Sequence, residues 1–339
     1  MTLRTAVIGV GHLGREHARI HATLAGEDHA RAPRFLAVCD RDETHVRTVA
    51  AQHSVERTTD WRTLLGRVDA VSLAVPTEAH AEIACALLDA GVHVLVEKPI
   101  SRTLAEADQM IAAAARGGAV LQVGQIERFN PALVALRPHV RDPLYFEIHR
   151  VGQFTARSLD IDVVLDLMIH DLDIVQWLVG SDVEVTEVHA VGIPVLTDRV
   201  DAANARIEFA TGAVANITAS RVGTEKIRKM RFFQPHDYVV VDYATRYAAI
   251  SSLAGSGIGT GAWPGVNVRR FEINDTEPLR AEIEAFLSAA ENGEPSPVTG
   301  EDGRRVLALA LRTLERIHQH TVRSGLSALR ILPARDDHS

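Results

Sequence analysis

Lys98, Asp166 and His170 are the residues whose types and positions best suit chemistry on an alcohol. Oxidation of a secondary alcohol needs a base that takes the hydroxyl proton while hydride leaves the carbon. Histidine, with an unperturbed pKa of ~6.5, suits that task near neutrality. Asp166 lies four residues before His170, so on an α-helix both side chains face one way, and the carboxylate would orient the imidazole or hold a neighbouring hydroxyl. A lysine ammonium at position 98 would stabilise the developing alkoxide.

Each of these residues also has a structural explanation. A single histidine on an apolar helix is usually a core residue, Asp166 and Asp173 could be ordinary helix-face charges, and Glu97-Lys98 could be a solvated strand end. A metal site is conceivable because Asp166, His170 and Asp173 share a helix face. No further ligand cluster supports it, and Lys98 would repel a cation, so we expect no metal.

A glycine-rich turn precedes these residues near the start of the chain. Gly9, Gly11 and Gly14 form GxGxxG directly after an apolar run and at the start of a helical segment. Gly9 permits the tight turn, Gly11 lets backbone amides approach a pyrophosphate, and Gly14 lets the helix pack against the sheet. This context predicts a dinucleotide-binding site.

The end of the second apolar run indicates which dinucleotide. Asp40 follows this run, and an acidic residue there accepts hydrogen bonds from ribose hydroxyls and repels a 2′-phosphate, which favours NAD. Asp40 could instead be a turn residue. Arg41 could clasp a 2′-phosphate, so NADP is the less favoured alternative.

The order of elements agrees with this interpretation. Apolar runs at 5–9, 35–39, 70–75, 93–96 and 120–123 alternate with helical segments, as in a doubly wound parallel sheet of the Rossmann type. After residue 124 the pattern indicates an α+β domain built on an open, mainly antiparallel sheet. We therefore predict an NAD-binding domain at 1–124 and a substrate-binding and oligomerisation domain at 125–339. The glycine-rich stretch 247–268 is expected to be a long loop.

Composition limits the classes of partner and the location. The 36 Lys and Arg against 44 Asp and Glu give a net charge of −8, which disfavours nucleic acid and anionic membranes. The two cysteines, Cys39 and Cys85, have no metal spacing and suit a reducing cytoplasm. The exposed face of an open sheet needs cover, so we expect a homodimer or homotetramer.

The chain resembles the Gfo/Idh/MocA family of NAD(P)-dependent oxidoreductases, named after glucose-fructose oxidoreductase and inositol dehydrogenase. The resemblance covers nearly the whole chain and rests on the glycine turn, the Pro-Thr-x-x-His run that ends at His80, the segment 90–99 that ends in Glu97-Lys98-Pro99, and the Asp166-x-x-x-His170 pair. It implies a Rossmann domain followed by an open-sheet domain, hydride transfer at a sugar or cyclitol carbinol, and a Lys/Asp/His catalytic group.

The resemblance also implies specific residue roles. Lys98, Asp166 and His170 would be catalytic, and Glu97 would meet the nicotinamide ribose. The expected contacts of the cofactor are Gly9, Gly11, His12, Leu13, Gly14, Asp40, Arg41, Pro76, Thr77, His80, Glu97, Lys98 and Gln125.

Segments 124–131, 158–171, 220–222 and 228–235 are similar to one branch of this family, which includes enzymes that oxidise UDP-N-acetylglucosamine at carbon 3. The sequence departs from the wider family at Met168 and from this branch at Gln125. A UDP-sugar carries a diphosphate, so cationic side chains should line its pocket. Besides Lys98, Asp166 and His170, the expected substrate contacts are Arg128, Arg157 and Asn130.

Several alternatives stay open at this point. Arg128 could form a salt bridge with Glu127 or a neighbouring acidic residue, and the substrate could be a free sugar or a cyclitol such as myo-inositol. The chain could also be a non-catalytic NAD-binding regulator, or a lyase or glycosidase with tightly held NAD. The regulator is disfavoured because a sensor need not keep Lys98, Asp166 and His170 together.

Overall fold

A computed structural model describes residues 2–28, 32–153, 161–254 and 265–324 of the chain. Contacts divide it into two compact units, Met1–Phe129 with Thr276–Leu307, and Asn130–Asp275 with Ala308–Ser339. The first unit thus includes a late stretch of chain that the predicted division at residue 124 assigns to the second domain.

The first unit is built on a six-stranded parallel sheet, ordered β3-β2-β1-β4-β5-β6. Its central strands are buried on both faces, which explains their continuous apolar runs. This confirms the prediction of a doubly wound sheet. The strands are β1 Arg4–Ile8, β2 Arg34–Cys39, β3 Glu56–Thr58, β4 Ala70–Leu73, β5 His93–Glu97 and β6 Leu121–Gly124.

Four helices connect these strands, and two have side-chain caps at their starts. The Asp42 carboxylate accepts from the amides of Thr44 and His45, and Thr103 forms a capping box with Glu106. Such caps satisfy amides that a helix start leaves without partners. The helices are α1 His12–Ala25, α2 Glu43–His53, α3 His80–Asp89 and α4 Leu104–Gly117.

The second unit contains an eight-stranded sheet, ordered β14-β13-β12-β11-β7-β10-β9-β8. β7 and β10 pair in parallel and the other neighbours are antiparallel, so the prediction of an open, mainly antiparallel sheet is confirmed. The strands are β7 Tyr145–Gln153, β8 Val185–Ile193, β9 Ala202–Phe209, β10 Val214–Gly223, β11 Ile227–Gln234, β12 Asp237–Asp242, β13 Tyr247–Ala254 and β14 Gly265–Arg270.

The glycine-rich stretch 247–268 is not one long loop, and that prediction was wrong. β13 and β14 pair antiparallel, from Ala249 opposite Arg270 to Ala254 opposite Gly265. Alanine and serine along β13 hide the alternation that marks a strand, and the exposed edge strand β14 has no buried face to reveal it. Residues 255–264 lie outside the described part.

The remaining helices complete both units. α5 spans Pro131–Leu136 and α6 spans Ile169–Val179, while α7 covers Pro278–Asn292 and α8 covers Gly300–Arg323. Within the first unit, α7 contributes Ile283 and Phe286 to a cluster with Ile20 of α1 and Leu95 of β5. In the part of the chain that the structure describes, no helix is both long and apolar enough to cross a lipid bilayer.

Candidate active site

The glycine turn between β1 and α1 is dictated by close backbone contacts. Gly9 has φ of +84°, and a Cβ on Gly14 would lie 1.7 Å from the carbonyl oxygen of Gly9. A Cβ on Gly11 would have no heavy atom within 4 Å. The chain's own packing therefore requires Gly9 and Gly14, whereas the space beside Gly11 is open.

This open space fits the pyrophosphate of a dinucleotide. It lies where α1 begins, and the amides at a helix start together with the helix dipole favour an anion. His12 and Leu13 form the first turn of α1, and both are exposed. The residues present thus suit the cofactor that the sequence predicts.

Asp40, directly after β2, is fixed beside this turn. Its Oδ2 accepts from the Val10 amide at 2.8 Å, and its Oδ1 accepts from the Asp42 amide at 2.9 Å. The half-buried carboxylate is thereby oriented at the carboxyl edge of the sheet, where a Rossmann fold binds its ligand. Arg41 is exposed. Burial raises the pKa of the neighbouring Cys39 thiol to about 12, so this group stays protonated.

His80 joins the loops that follow β4 and β5. Its Nε2 lies 3.0 Å from the Val75 carbonyl oxygen, and its Nδ1 lies 3.1 Å from that of Pro99. The residue is 1% exposed, and burial lowers the pKa of its imidazole. Both ring nitrogens face backbone carbonyls, so His80 links the loop after β4 to the residues that follow Lys98. Pro76 and Thr77, at the start of the same turn, reach the surface more.

The Glu97 carboxylate at the end of β5 is held on both of its oxygens. Oε1 lies 2.9 Å from Nε2 of His17 on α1, and Oε2 accepts from the Lys98 amide at 3.2 Å. The Lys98 side chain is half-buried. In the β5–β6 register Gly124 lies opposite Glu97, and the next residue, Gln125, is 1% exposed. These residues meet at the carboxyl edge of the parallel sheet.

In the second unit, Asp166 lies in a π-helical turn. Residues Val164–Met168 form this turn, and the Ile169 amide donates to the Val164 carbonyl five residues back. The prediction of one regular α-helix across Asp166 and His170 was therefore wrong. The residues on both sides of this turn are mostly apolar, which hides the phase shift that one extra residue causes, and such turns are frequent at functional sites. Asp166 and His170 are both half-buried.

The helix that carries His170 is fixed by a buried ion pair. Asp171 accepts from Arg150 Nε at 2.7 Å and from Nη2 at 2.8 Å, and the Arg150 guanidinium carbon lies 5.3 Å from the Tyr243 ring centre. Asp171 is fully buried, as is Asp173. The sequence prediction did not include Arg150. A charged residue in the interior of β7 was its only signal, and its partner lies 21 residues away.

The predicted substrate contacts divide into three cases. Arg128 is 6% exposed, and its Nη1 donates to Asp302 at 3.2 Å within the first unit. The Asn130 side-chain oxygen caps α5 by accepting from the Ala132 amide at 3.1 Å. Arg157 lies outside the described residues. Asp302 therefore balances part of the charge of Arg128, in agreement with the alternative that Arg128 forms a salt bridge.

Two family models match the sequence. The oxidoreductase family model with an NAD-binding Rossmann fold matches residues 3–125, and the model of the GFO/IDH/MocA C-terminal domain matches residues 132–233. Together with the two sheets, these matches decide the family. The chain belongs to the Gfo/Idh/MocA oxidoreductases.

Named relatives of known structure and sequence cover nearly the whole chain. UDP-N-acetylglucosamine 3-dehydrogenase of Acidithiobacillus ferrooxidans is 40% identical over 91% of this chain and 96% of its own. A solved structure with this name and organism matches with a TM-score of 0.85 and 38% identity, over 94% of this chain and 99% of that one. Inositol 2-dehydrogenase 1 of Saccharopolyspora erythraea is 29% identical over 91% of this chain and 92% of its own.

Membership of this family confirms the predictions of an oxidoreductase that acts on CH–OH groups and of an NAD-binding Rossmann domain. It thereby disfavours the non-catalytic regulator. The roles of individual site residues stay predictions, and they are taken up as proposals below.

Proposed function

We propose that the protein is an NAD-dependent dehydrogenase that oxidises the carbon 3 hydroxyl of UDP-N-acetylglucosamine. The observation that carries this proposal is the 40% identity, over 91% of the chain, to a dehydrogenase of that name. The inositol dehydrogenase of S. erythraea reaches 29% over the same share. A 3-keto nucleotide sugar is the precursor required for amination at that carbon, so the product would serve the synthesis of 3-amino sugars in lipid A-type glycolipids.

We assign the binding of NAD to the first unit. The amides at the start of α1 would meet the pyrophosphate, Asp40 the adenosine ribose, and Glu97 the nicotinamide ribose. Bound NAD supplies the acceptor for the hydride. The acidic, backbone-held Asp40 supports NAD over NADP because a carboxylate repels a 2′-phosphate.

We assign the proton chemistry to three side chains. His170 takes the hydroxyl proton as the carbon–hydrogen bond breaks, and Asp166 orients the imidazole or holds a neighbouring hydroxyl. Lys98 stabilises the negative charge that develops on the substrate oxygen. The ion pair that fixes Asp171 supports this assignment, since it restrains the residue next to the proposed base.

For the diphosphate of the substrate we propose Arg157 as the main cation. Arg128 would contribute less because Asp302 already balances part of its charge. We also propose Asn130, whose side-chain oxygen caps α5, as a contact of the sugar.

Isotope transfer tests the carbon that is oxidised. We expect UDP-N-acetylglucosamine deuterated at carbon 3 to yield deuterated NADH, detected by mass spectrometry, because hydride leaves from that carbon. The same sugar deuterated at carbon 4 is the control and should yield unlabelled NADH. Label retained in the sugar at carbon 3 during turnover would refute this position while leaving the dehydrogenase activity intact.

Oxidation of a free cyclitol is the second candidate. Its support is the similarity to inositol 2-dehydrogenases across most of the chain. The two candidates differ in the need for a diphosphate, so turnover of myo-inositol against UDP-N-acetylglucosamine distinguishes them.

We also propose that the open sheet of the second unit pairs with a second copy. Tyr145, Phe233 and Tyr238 form an aromatic cluster on it, with ring centres 6.1 and 5.0 Å apart, and Phe233 is 42% exposed. Light scattering should show a dimer or tetramer, which Phe233→Glu dissociates. Leu65→Glu, at an exposed leucine of the first unit, is the control. A monomeric wild-type protein at micromolar concentration would contradict this proposal.

The proposed location is the reducing cytoplasm. Cys39 is buried and Cys85 is half-buried, and both are free thiols. Burial raises the pKa of each thiol, which keeps both in the less reactive protonated form.

A further inference from the structure

The Glu97 carboxylate is enclosed by three groups, which we call the Glu97 clamp: the imidazole of His17, the amide of Lys98 and the Cα of Gly124. His17 Nε2 lies 2.9 Å from Oε1, and the Lys98 amide lies 3.2 Å from Oε2. A Cβ added to Gly124 would lie 3.1 Å from Oε2 and 3.2 Å from Oε1. The carboxylate therefore has little freedom to turn.

His17 is the member of this clamp whose side chain has no other visible task. Its side chain is completely buried, whereas 12% of the Glu97 side chain reaches solvent. In the described part of the chain, His17 Nδ1 has no hydrogen-bond partner. Among the described residues, the ring's hydrogen-bond partner is the Glu97 carboxylate. Burial of a polar ring with an unpaired nitrogen normally lowers stability, so a leucine at this position would pack at a lower cost in free energy.

The neighbouring His21 shows what a structural histidine on the same helix face looks like. It lies one turn further along α1, is fully buried, and its Nε2 is 2.9 Å from Ser72 Oγ. Burial and the nearby His17 lower the pKa of His21 to about 3, so it stays neutral. His21 is hydrogen-bonded to Ser72 and not to Glu97, so it provides a matched control.

We propose that His17 is a positioning residue that orients the Glu97 carboxylate for the ribose of the bound dinucleotide. Nε2–H donates to Oε1, and the amide of Lys98 holds Oε2. The remaining lone pairs of the carboxylate are then aimed in one direction, ready to accept from two neighbouring hydroxyls of a ribose. This inference rests on the proposed function only through the role of Glu97 in binding NAD.

Equilibrium binding of NADH, followed by its fluorescence, tests the proposal without turnover. We expect His17→Leu to weaken NADH binding about tenfold, because the carboxylate loses its orienting donor. His17→Gln, whose amide nitrogen can replace Nε2, should stay within threefold of wild type. His21→Leu should leave NADH binding within twofold, whatever it does to the unfolding temperature.

A double-mutant cycle separates positioning from general damage. If His17 acts through Glu97, His17→Leu should weaken NADH binding less than twofold further once Glu97→Ala is present. Should His17→Leu fail to fold, Gly124→Ala provides a second test, since its methyl group would lie 3.1 Å from Oε2 of Glu97 and should also weaken binding.

Two results would overturn the proposal: NADH binding by folded His17→Leu within twofold of wild type, or an equal loss with and without Glu97. These outcomes are independent of the sugar substrate. A protein that binds NADH in this pattern but does not oxidise UDP-N-acetylglucosamine would refute the proposed function and leave the role of His17 standing.

Discussion

Lys98→Met and His170→Ala are each expected to lower kcat for UDP-N-acetylglucosamine by at least a hundredfold. In the proposed mechanism His170 takes the hydroxyl proton, and a general base of this kind contributes roughly 10²–10⁴-fold. Lys98 is proposed to stabilise the developing alkoxide with its ammonium, and loss of one such group typically lowers kcat by about 10²–10³-fold. Methionine keeps much of the length and apolar character of the lysine stem.

Exposed residues of the same types are the controls. Lys226→Met and His189→Ala remove a lysine and a histidine from the surface of the second unit and should leave kcat within twofold. Added imidazole should restore part of the activity of His170→Ala and none of that of Lys98→Met. If both active-site variants keep kcat within threefold of wild type, the assignment of the catalytic group is wrong.

Alanine at Gly14 and alanine at Gly11 are expected to have opposite effects. A Cβ at Gly14 would lie 1.7 Å from the Gly9 carbonyl oxygen, so α1 must move away from β1, and we expect a loss of ~3 kcal/mol in the free energy of unfolding. Gly11 has φ of −66° and open space around its Cα, so alanine there should leave stability unchanged or raise it by a few tenths of a kcal/mol.

For cofactor binding we expect Gly11→Ala, which leaves stability unchanged, to be strongly impaired. We expect Gly11→Ala to weaken NADH binding more than tenfold, because its methyl group occupies the space proposed for the pyrophosphate. Urea unfolding and NADH titration of the same samples measure both effects. A Gly11→Ala protein that binds NADH as tightly as wild type would show that the pyrophosphate does not approach this turn.

The parallel sheet was predictable because its central strands are buried on both faces. Ala6–Ile8 of β1 and Val94–Val96 of β5 are continuous apolar runs, and the glycine turn follows β1 directly. The sequence reveals β7 less clearly, because Arg150 occupies the buried position that follows Phe146 and Ile148, so the apolar alternation stops after two residues. The edge strand β14 has no buried residue to produce one.

Parts of the candidate site were predictable where a single residue type is needed for one structural reason. Gly9 and Gly14 are required by backbone contacts between neighbouring elements, and Asp40 lies at the end of a recognisable strand. His17 gave no such signal, because a histidine on the inner face of a helix is typical of a core and its partner Glu97 lies 80 residues away. The π turn at Asp166 was not predictable, because the mostly apolar residues on both sides of it hide the phase shift that one inserted residue causes.

NADH formation with a panel of sugars tests the central claim most directly. The purified protein is mixed with NAD and, in separate reactions, UDP-N-acetylglucosamine, UDP-glucuronate, glucose and myo-inositol, and NADH absorbance is followed. We predict turnover with UDP-N-acetylglucosamine and at least a hundredfold lower kcat/KM with each of the others. Turnover of myo-inositol or glucose without turnover of UDP-N-acetylglucosamine would contradict the proposed function.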